Sequence, residues 1–317
     1  MRRVHMIGTV ILLVMFLVSA CAPRSEPVIA EGPPLAATAE PAFADETAEP
    51  ATSEPAATEA SVEPQLPDFD PANFENSSTT INNEWMPMQP GTTWVYEGTA
   101  VDDEGNNVDR RIAFTVTDLT KEIQGVHTVV GWIEDLTDGV LTEKEIAFYA
   151  QDKSGNVWYF GEHPEDYENG EFVEAPTWIA GFQDAKPGIV MMAKPEAGGT
   201  SVYQGWGPEV GWSDYGQVEQ MGQETCVPVD CYQDVLVNAE ANLDEQGAFQ
   251  LKYFAPNVGE VRIGWKGNDE TQEELQMVEY KQLSPAELAD IHAQALALEK
   301  HAYEISPDAY GETTPME

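Results

Sequence analysis

The chain has 317 residues, with 56 Asp and Glu against 15 Lys and Arg, a formal net charge of -41 and only 3 cysteines. Such a balance repels phosphate backbones and anionic head groups, which excludes nucleic acid as a partner and charge attraction as a route to a membrane. Once polar tails are set aside, the length suits one good-sized domain with its own core.

The chain opens with Arg2 and Arg3, then an apolar run over residues 7–18 that ends in Leu17-Val18-Ser19-Ala20-Cys21. A basic start, a short apolar stretch and small residues before the cut form an export signal. The run is shorter than the roughly 20 apolar residues that a spanning helix needs. The stretch before Cys21 resembles the lipobox of bacterial lipoproteins. That resemblance implies removal of residues 1–20, a diacylglycerol thioether on Cys21, an extracytoplasmic location and the membrane as a partner through the lipid. Residues 21–67 supply this cysteine and a disordered tether of Ala, Glu, Pro, Thr and Ser, too poor in apolar residues to build a core. Stretched out, the tether reaches on the order of 100 Å.

Residues 68–283 read as strand and turn. Thr93-Trp94-Val95-Tyr96-Glu97-Gly98 is aromatic and β-branched, and residues 110–117 alternate, with Ile112, Phe114 and Val116 on one face. Further strands are predicted at 128–136, 143–151, 156–161 and 171–179, separated by turns at 121–125, Asp138-Gly139, 152–155 and Asn169-Gly170. Residues 180–212 are rich in Gly and Pro and read as a crossing segment or lid. The meander then resumes at 216–225, 232–239, 249–255, 260–265 and 273–280. About a dozen strands are too many for one flat sheet, so the fold expected is an antiparallel meander closed into a strongly curved sheet or open barrel. Ser284-Pro285-Ala286-Glu287 opens a C-terminal helix over 284–304, with a serine cap and a returning glutamate. Its stripe of Leu288, Ile291, Ala295, Leu298 and Ala302 is expected to pack on the sheet. Residues 305–317 read as a disordered tail.

The segments Glu84-Trp85-Met86-Pro87-Met88-Gln89-Pro90-Gly91-Thr92-Thr93-Trp94-Val95-Tyr96, Tyr149-Ala150-Gln151-Asp152, Gly155-Asn156-Val157-Trp158-Tyr159-Phe160-Gly161-Glu162, Pro187-Gly188-Ile189-Val190-Met191 and Tyr253-Phe254-Ala255-Pro256-Asn257-Val258-Gly259 carry a further likeness. Across residues 83–283 the chain resembles a group of secreted bacterial proteins and lipoproteins to which no activity is assigned. Asn257 stands where that pattern usually has glycine. The resemblance implies a strand-rich envelope protein and no particular chemistry.

Motifs for catalysis are absent: there is no Gly-x-Ser-x-Gly elbow, no His-Glu-x-x-His helix and no phosphate-binding glycine loop. Cys226 and Cys231 bracket Val227-Pro228-Val229-Asp230 in an exported chain, so they are expected to form a disulfide across a tight turn. For a ligand, the candidates are Trp206, Trp212 and Tyr215, interleaved with Glu209 and Asp214, as a stacking platform for a small apolar or sugar molecule. The competing interpretation is that these aromatics cap a barrel end. For a metal, Glu162, His163 and Asp166 are the weaker candidates, and a solvated loop after a strand is the commoner reason for such a cluster. No cofactor is implied; calcium is the cation that so acidic a surface would suit, yet no run has calcium-loop spacing. The function expected is a noncovalent binding module of the envelope, not an enzyme. The alternatives are a structural lipoprotein that docks an envelope protein partner and, less favoured, a carboxylate-based hydrolase.

Overall fold

The computed structural model describes residues 63–317. The expected signal, the expected lipid site Cys21 and nearly all of the expected tether lie outside the described residues. Among the described residues no helix is long and apolar enough to cross a membrane.

A one-turn 3-10 helix at Pro71–Asn73 leads into a two-residue pair, β1 (Ile81–Asn82) and β2 (Pro87–Met88). Five long strands follow: β3 (Thr92–Val101), β4 (Asn107–Ile123), β5 (Val126–Thr137), β6 (Val140–Gln151) and β7 (Val157–Glu168). Short β8 (Glu171–Glu174) and β9 (Trp178–Ile179) fold back on β7, before β10 (Lys186–Met191), β11 (Val202–Tyr203) and β12 (Gly205–Trp206). The second run is β13 (Tyr215–Cys226), β14 (Cys231–Ala241), β15 (Ala248–Ala255), β16 (Gly259–Gly267) and β17 (Glu274–Gln282). Two helices end the chain, α1 (Pro285–Ile305) and α2 (Pro307–Tyr310).

Turn chemistry sets the hairpins. Asp138 and Gly139 have φ of 52° and 75°, the paired left-handed conformation of a tight hairpin turn, which matches the right-handed twist of the strands it joins. At the tip of β13 and β14, Cys226 faces Cys231 in register and the two form the disulfide.

Pairing runs β11-β13-β14-β15-β16-β17-β3-β4-β5-β6-β7-β10-β12, antiparallel throughout. The union of β17 with β3 joins the two runs of the meander into one sheet. Its two end strands, β11 and β12, are separated in sequence only by Gln204. The sheet therefore curls into a barrel with a single seam, and residues 202–206 step across it. Closure of this kind removes long exposed edges. Gly205 sits at the seam because a Cβ there would lie 2.4 Å from the Trp178 ring.

Strand alternation gives the sheet two buried faces. The inner face carries Trp94, Tyr96, Val116, Tyr149, Tyr159, Phe254, Leu275 and Met277. The outer face of β4 to β7 carries Leu119, Val130, Trp132, Ile146, Phe148, Trp158 and Phe160, and α1 covers it with Ala295, Leu298 and Ala302. The serine cap forms as a full capping box, with Ser284 and Glu287 bonded both ways.

Three expectations need correction. Residues 306–317 are an ordered strap: Tyr310 and Met316 are buried, and Glu317 exchanges backbone hydrogen bonds with Thr120 at 2.9 and 3.0 Å. The physical reason is Lys121, a buried cation on β4 that needs partners from the tail. The tether ends before residue 67, because Gln65 donates to the Ser201 carbonyl at 2.9 Å and accepts from Tyr203 at 3.0 Å. The segment 180–212 contains the strand β10, which pairs with β7 and β12; Pro187 lacks a donor and reads as a breaker in sequence.

Candidate functional site

The barrel interior is not filled. A cavity of about 470 Å³ lies on the inner face of the sheet, bounded by residues of β2 through β7, of β10 and of β14 through β16 and by connecting residues. Its apolar wall comprises Met86, Met88, Trp94, Phe114, Ile133, Val190 and Phe254. Two buried aromatics of that wall are tied to the strand ends: Trp94 Nε1 donates to the Val258 carbonyl at 2.9 Å, and Tyr96 Oη donates to the Glu260 carbonyl at 3.0 Å.

An aromatic nest forms the second wall. Tyr149 and Tyr159, neighbours in register on β6 and β7, stack with centroids 4.8 Å apart and planes 12° from parallel. Trp178 and Trp212 meet the edge of Tyr159 and lie 4.8 Å from each other.

The polar wall is acidic. Glu143, Glu145, Ala147 and Tyr149 alternate on β6, so both carboxylates point inward with the tyrosine. Glu162 joins them from β7, and the Tyr159 hydroxyl bonds to both Glu162 Oε2 and, at 3.2 Å, Glu145 Oε1. Burial, then the charge of Glu143, pushes Glu162 up to about 8 against the hydrogen bond from Tyr159. Burial and the neighbouring Asp135 and Asp166 bring Glu143 to about 7, and Glu145 is held well above the usual carboxylate range by burial and Glu162. Opposite them, Lys252 reaches Glu240 Oε2 at 3.1 Å and Glu260 Oε2 at 4.0 Å. Burial would lower that lysine, but Glu240 and Glu260 outweigh it and keep Lys252 charged. Glu260 itself rises to about 7, because burial exceeds the attraction of Lys252.

Of the five residues predicted for a ligand, the structure brings two to the cavity. Trp212 and Asp214 line it, and Asp214 Oδ1 accepts from Asn242 Nδ2 at 2.5 Å. Trp206 and Tyr215 instead each pack edge-to-face with Tyr203 at the seam, with centroids 5.6 and 6.1 Å from it, and Glu209 is exposed. The predicted metal set is divided by strand alternation. Glu162 faces the cavity, whereas His163 points to the outer face, between Thr177 Oγ1 at 2.5 Å and Glu165 Oε1 at 3.3 Å. Asp166 lies farther along β7, opposite Glu143. Among the described residues no group of three or more His, Cys, Asp or Glu is placed to hold a metal ion. Sequence reasoning missed Glu145, Tyr149, Tyr159, Glu240 and Lys252. The one signal for them was acids at alternate positions of a strand otherwise suited to a core.

No family model matches the chain, and no curated protein matches it. Two solved structures are similar. One, from Bacteroides fragilis and described as an exported protein with a YmcC-like fold, is 12% identical with a TM-score of 0.36, over 63% of this chain and 99% of that one. The other, from Parabacteroides distasonis and described as a lipoprotein, is 13% identical with a TM-score of 0.34, over the same shares.

Proposed function

We propose that the protein is a lipid-anchored binding module of the bacterial envelope, whose barrel interior takes up a small apolar or sugar-like ligand without covalent chemistry. The observation that carries this reading is the cavity itself: about 470 Å³ of open interior, within the range of small-molecule sites, with an apolar wall facing a polar one. A barrel serving only as scaffold would fill that space with side chains, as small closed barrels do. Here Phe114, Tyr149 and Trp212 present ring surface to the opening, and the acids opposite offer acceptors for hydroxyl or amine groups. The export signal and the lipobox likeness support the location, and a disulfide suits a chain that leaves the reducing cytoplasm.

Native mass spectrometry of the full chain, gently extracted from its own envelope, tests the proposal. A discrete bound mass, released when the protein unfolds, is the expected result. A bare protein in repeated extractions would overturn the binding reading in favour of a structural role.

A further inference from the structure

The two polar walls of the cavity differ in one respect that bears on the class of ligand. On the β14–β16 side, Glu240 and Glu260 have a cation, Lys252. On the β6–β7 side, Glu145 and Glu162 make no ion pair among the described residues. Glu143 and Asp214 add to the negative charge around Glu162, and the neighbouring Tyr149 hydroxyl is raised by burial and by both carboxyls. The Tyr159 hydroxyl bonds to both carboxyls, yet it has one proton to give. Two ionised carboxylates on one hydroxyl repel each other and are incompletely bonded.

One buried acceptor on the same inner face is also without a partner. Asp135, 8% exposed and opposite Glu143 on the same inner face, has an Oδ1 that accepts nothing, while its Oδ2 pairs with Arg110. Buried polar atoms are ordinarily satisfied, and two carboxyls that share a single hydroxyl donor are suited to a group that brings donors and positive charge. The stacked Tyr149 and Tyr159, with Trp212 beside them, add the aromatic surface on which a cation is favoured.

We infer that the cavity selects a ligand with a positively charged amine head on an apolar or aromatic body, the amine seated between Glu145 and Glu162. The inference rests on the binding reading above and narrows it. Uptake of the amine ionises carboxyls that hold a proton in the free protein, so binding at neutral pH releases protons.

The test is calorimetric titration of the full chain at pH 7.5 with three probes that share one body: 4-phenylbutylamine, 4-phenylbutanol and 4-phenylbutyrate. The amine is expected to bind about tenfold or more tightly than the alcohol, the gain of one partly buried ion pair, and the carboxylate weakest. The heat should also change with the ionisation enthalpy of the buffer. In a Glu145→Gln/Glu162→Gln variant the amine should lose its advantage over the alcohol. Should that variant fold poorly, titration of the unaltered chain at pH 5.5 makes the same comparison, because protonated carboxyls shrink the advantage. Equal binding of amine and alcohol would overturn the cation preference and leave cavity binding intact. An advantage that survives in the double variant would overturn the assigned seat. If no probe binds although a co-purified mass is present, the amine class is wrong; if neither is seen, both readings fall.

Discussion

Trp212 and Trp206 stand six positions apart and differ in what they touch. Trp212 lies on the cavity and against Trp178, whereas Trp206 packs on Tyr203 at the seam. Trp212→Ala is therefore expected to abolish retention of the co-purified ligand at a cost of about 1–2 kcal/mol, less than for a fully buried tryptophan. Trp206→Ala should keep the ligand. Native mass spectrometry of the two variants with parallel thermal melts checks both, and loss of ligand in both or neither would contradict the placement. The interior acids make a second prediction. Glu143, Glu162 and Glu260 rise to about 7, about 8 and about 7 from an ordinary 4.5, chiefly through burial. An acid raised in the folded state binds its proton more tightly there, so its contribution is fully present below about 4.5 and lost as pH rises through the folded values. Melting temperature should fall between pH 5.5 and pH 9, and Glu162→Gln should flatten that slope. These residues were only half legible: a carboxylate at alternate strand positions can face water or a cavity, and closure of the barrel decides which.

The C-terminal helix was legible because its signals are local. Ser284, Pro285 and Glu287 form the cap, and a three-and-four spacing marks the buried face. The strap after it was not, because its ordering depends on Lys121 on β4, far away in sequence. Lys121 Nζ meets Glu299 Oε1 at 2.8 Å and the Thr314 carbonyl at 2.5 Å, and lies 4.4 Å from the Tyr310 ring centre. Glu299 in turn accepts the Met316 N–H at 3.0 Å. Removing one partner of a buried pair leaves an uncompensated charge, so Lys121→Met should cost about 3–5 kcal/mol, and Lys121→Met/Glu299→Gln should recover part of it. Chemical denaturation of the two variants checks the order; a double variant less stable than the single would contradict it. A second clasp holds β7 to α1. Glu165 Oε1 receives His301 Nδ1 at 2.6 Å and His163 Nε2 at 3.3 Å, and Oε2 receives Tyr167 Oη at 2.5 Å. Burial would raise this carboxyl, but those hydrogen bonds bring it down to about 2. A depressed acid contributes above its unfolded value near 4.5 and loses that contribution as pH falls toward 2. Acid unfolding below about pH 4 should thus be milder in Glu165→Gln, relative to its own stability at pH 6, than in the unaltered chain.

At the scale of the whole molecule, the meander could be read strand by strand because apolar residues alternate and turn dipeptides such as Asp138-Gly139 and Asn169-Gly170 punctuate them. Closure could not, since it depends on β17 finding β3 and on β11 and β12 meeting across a seam, contacts between residues far apart in sequence. The cavity follows from closure and was equally hidden; Trp212 and Asp214 were found through composition, and Tyr159 and Glu145 looked like ordinary core and surface. The architecture that results has one buried face under a helix and one that encloses space. Uptake of a ligand into the enclosed space links this fold to the proposed function. It is tested most directly by methyl NMR of the full chain labelled at methionine, recorded before and after addition of a small-molecule extract of its own envelope. Met86 and Met88 line the cavity, while Met316, in the strap itself, is buried on the far face of the sheet. Ligand uptake should give saturable shifts at Met86 and Met88 with Met316 unmoved. Spectra unchanged at Met86 and Met88, or shifts at Met316 alone, would contradict it.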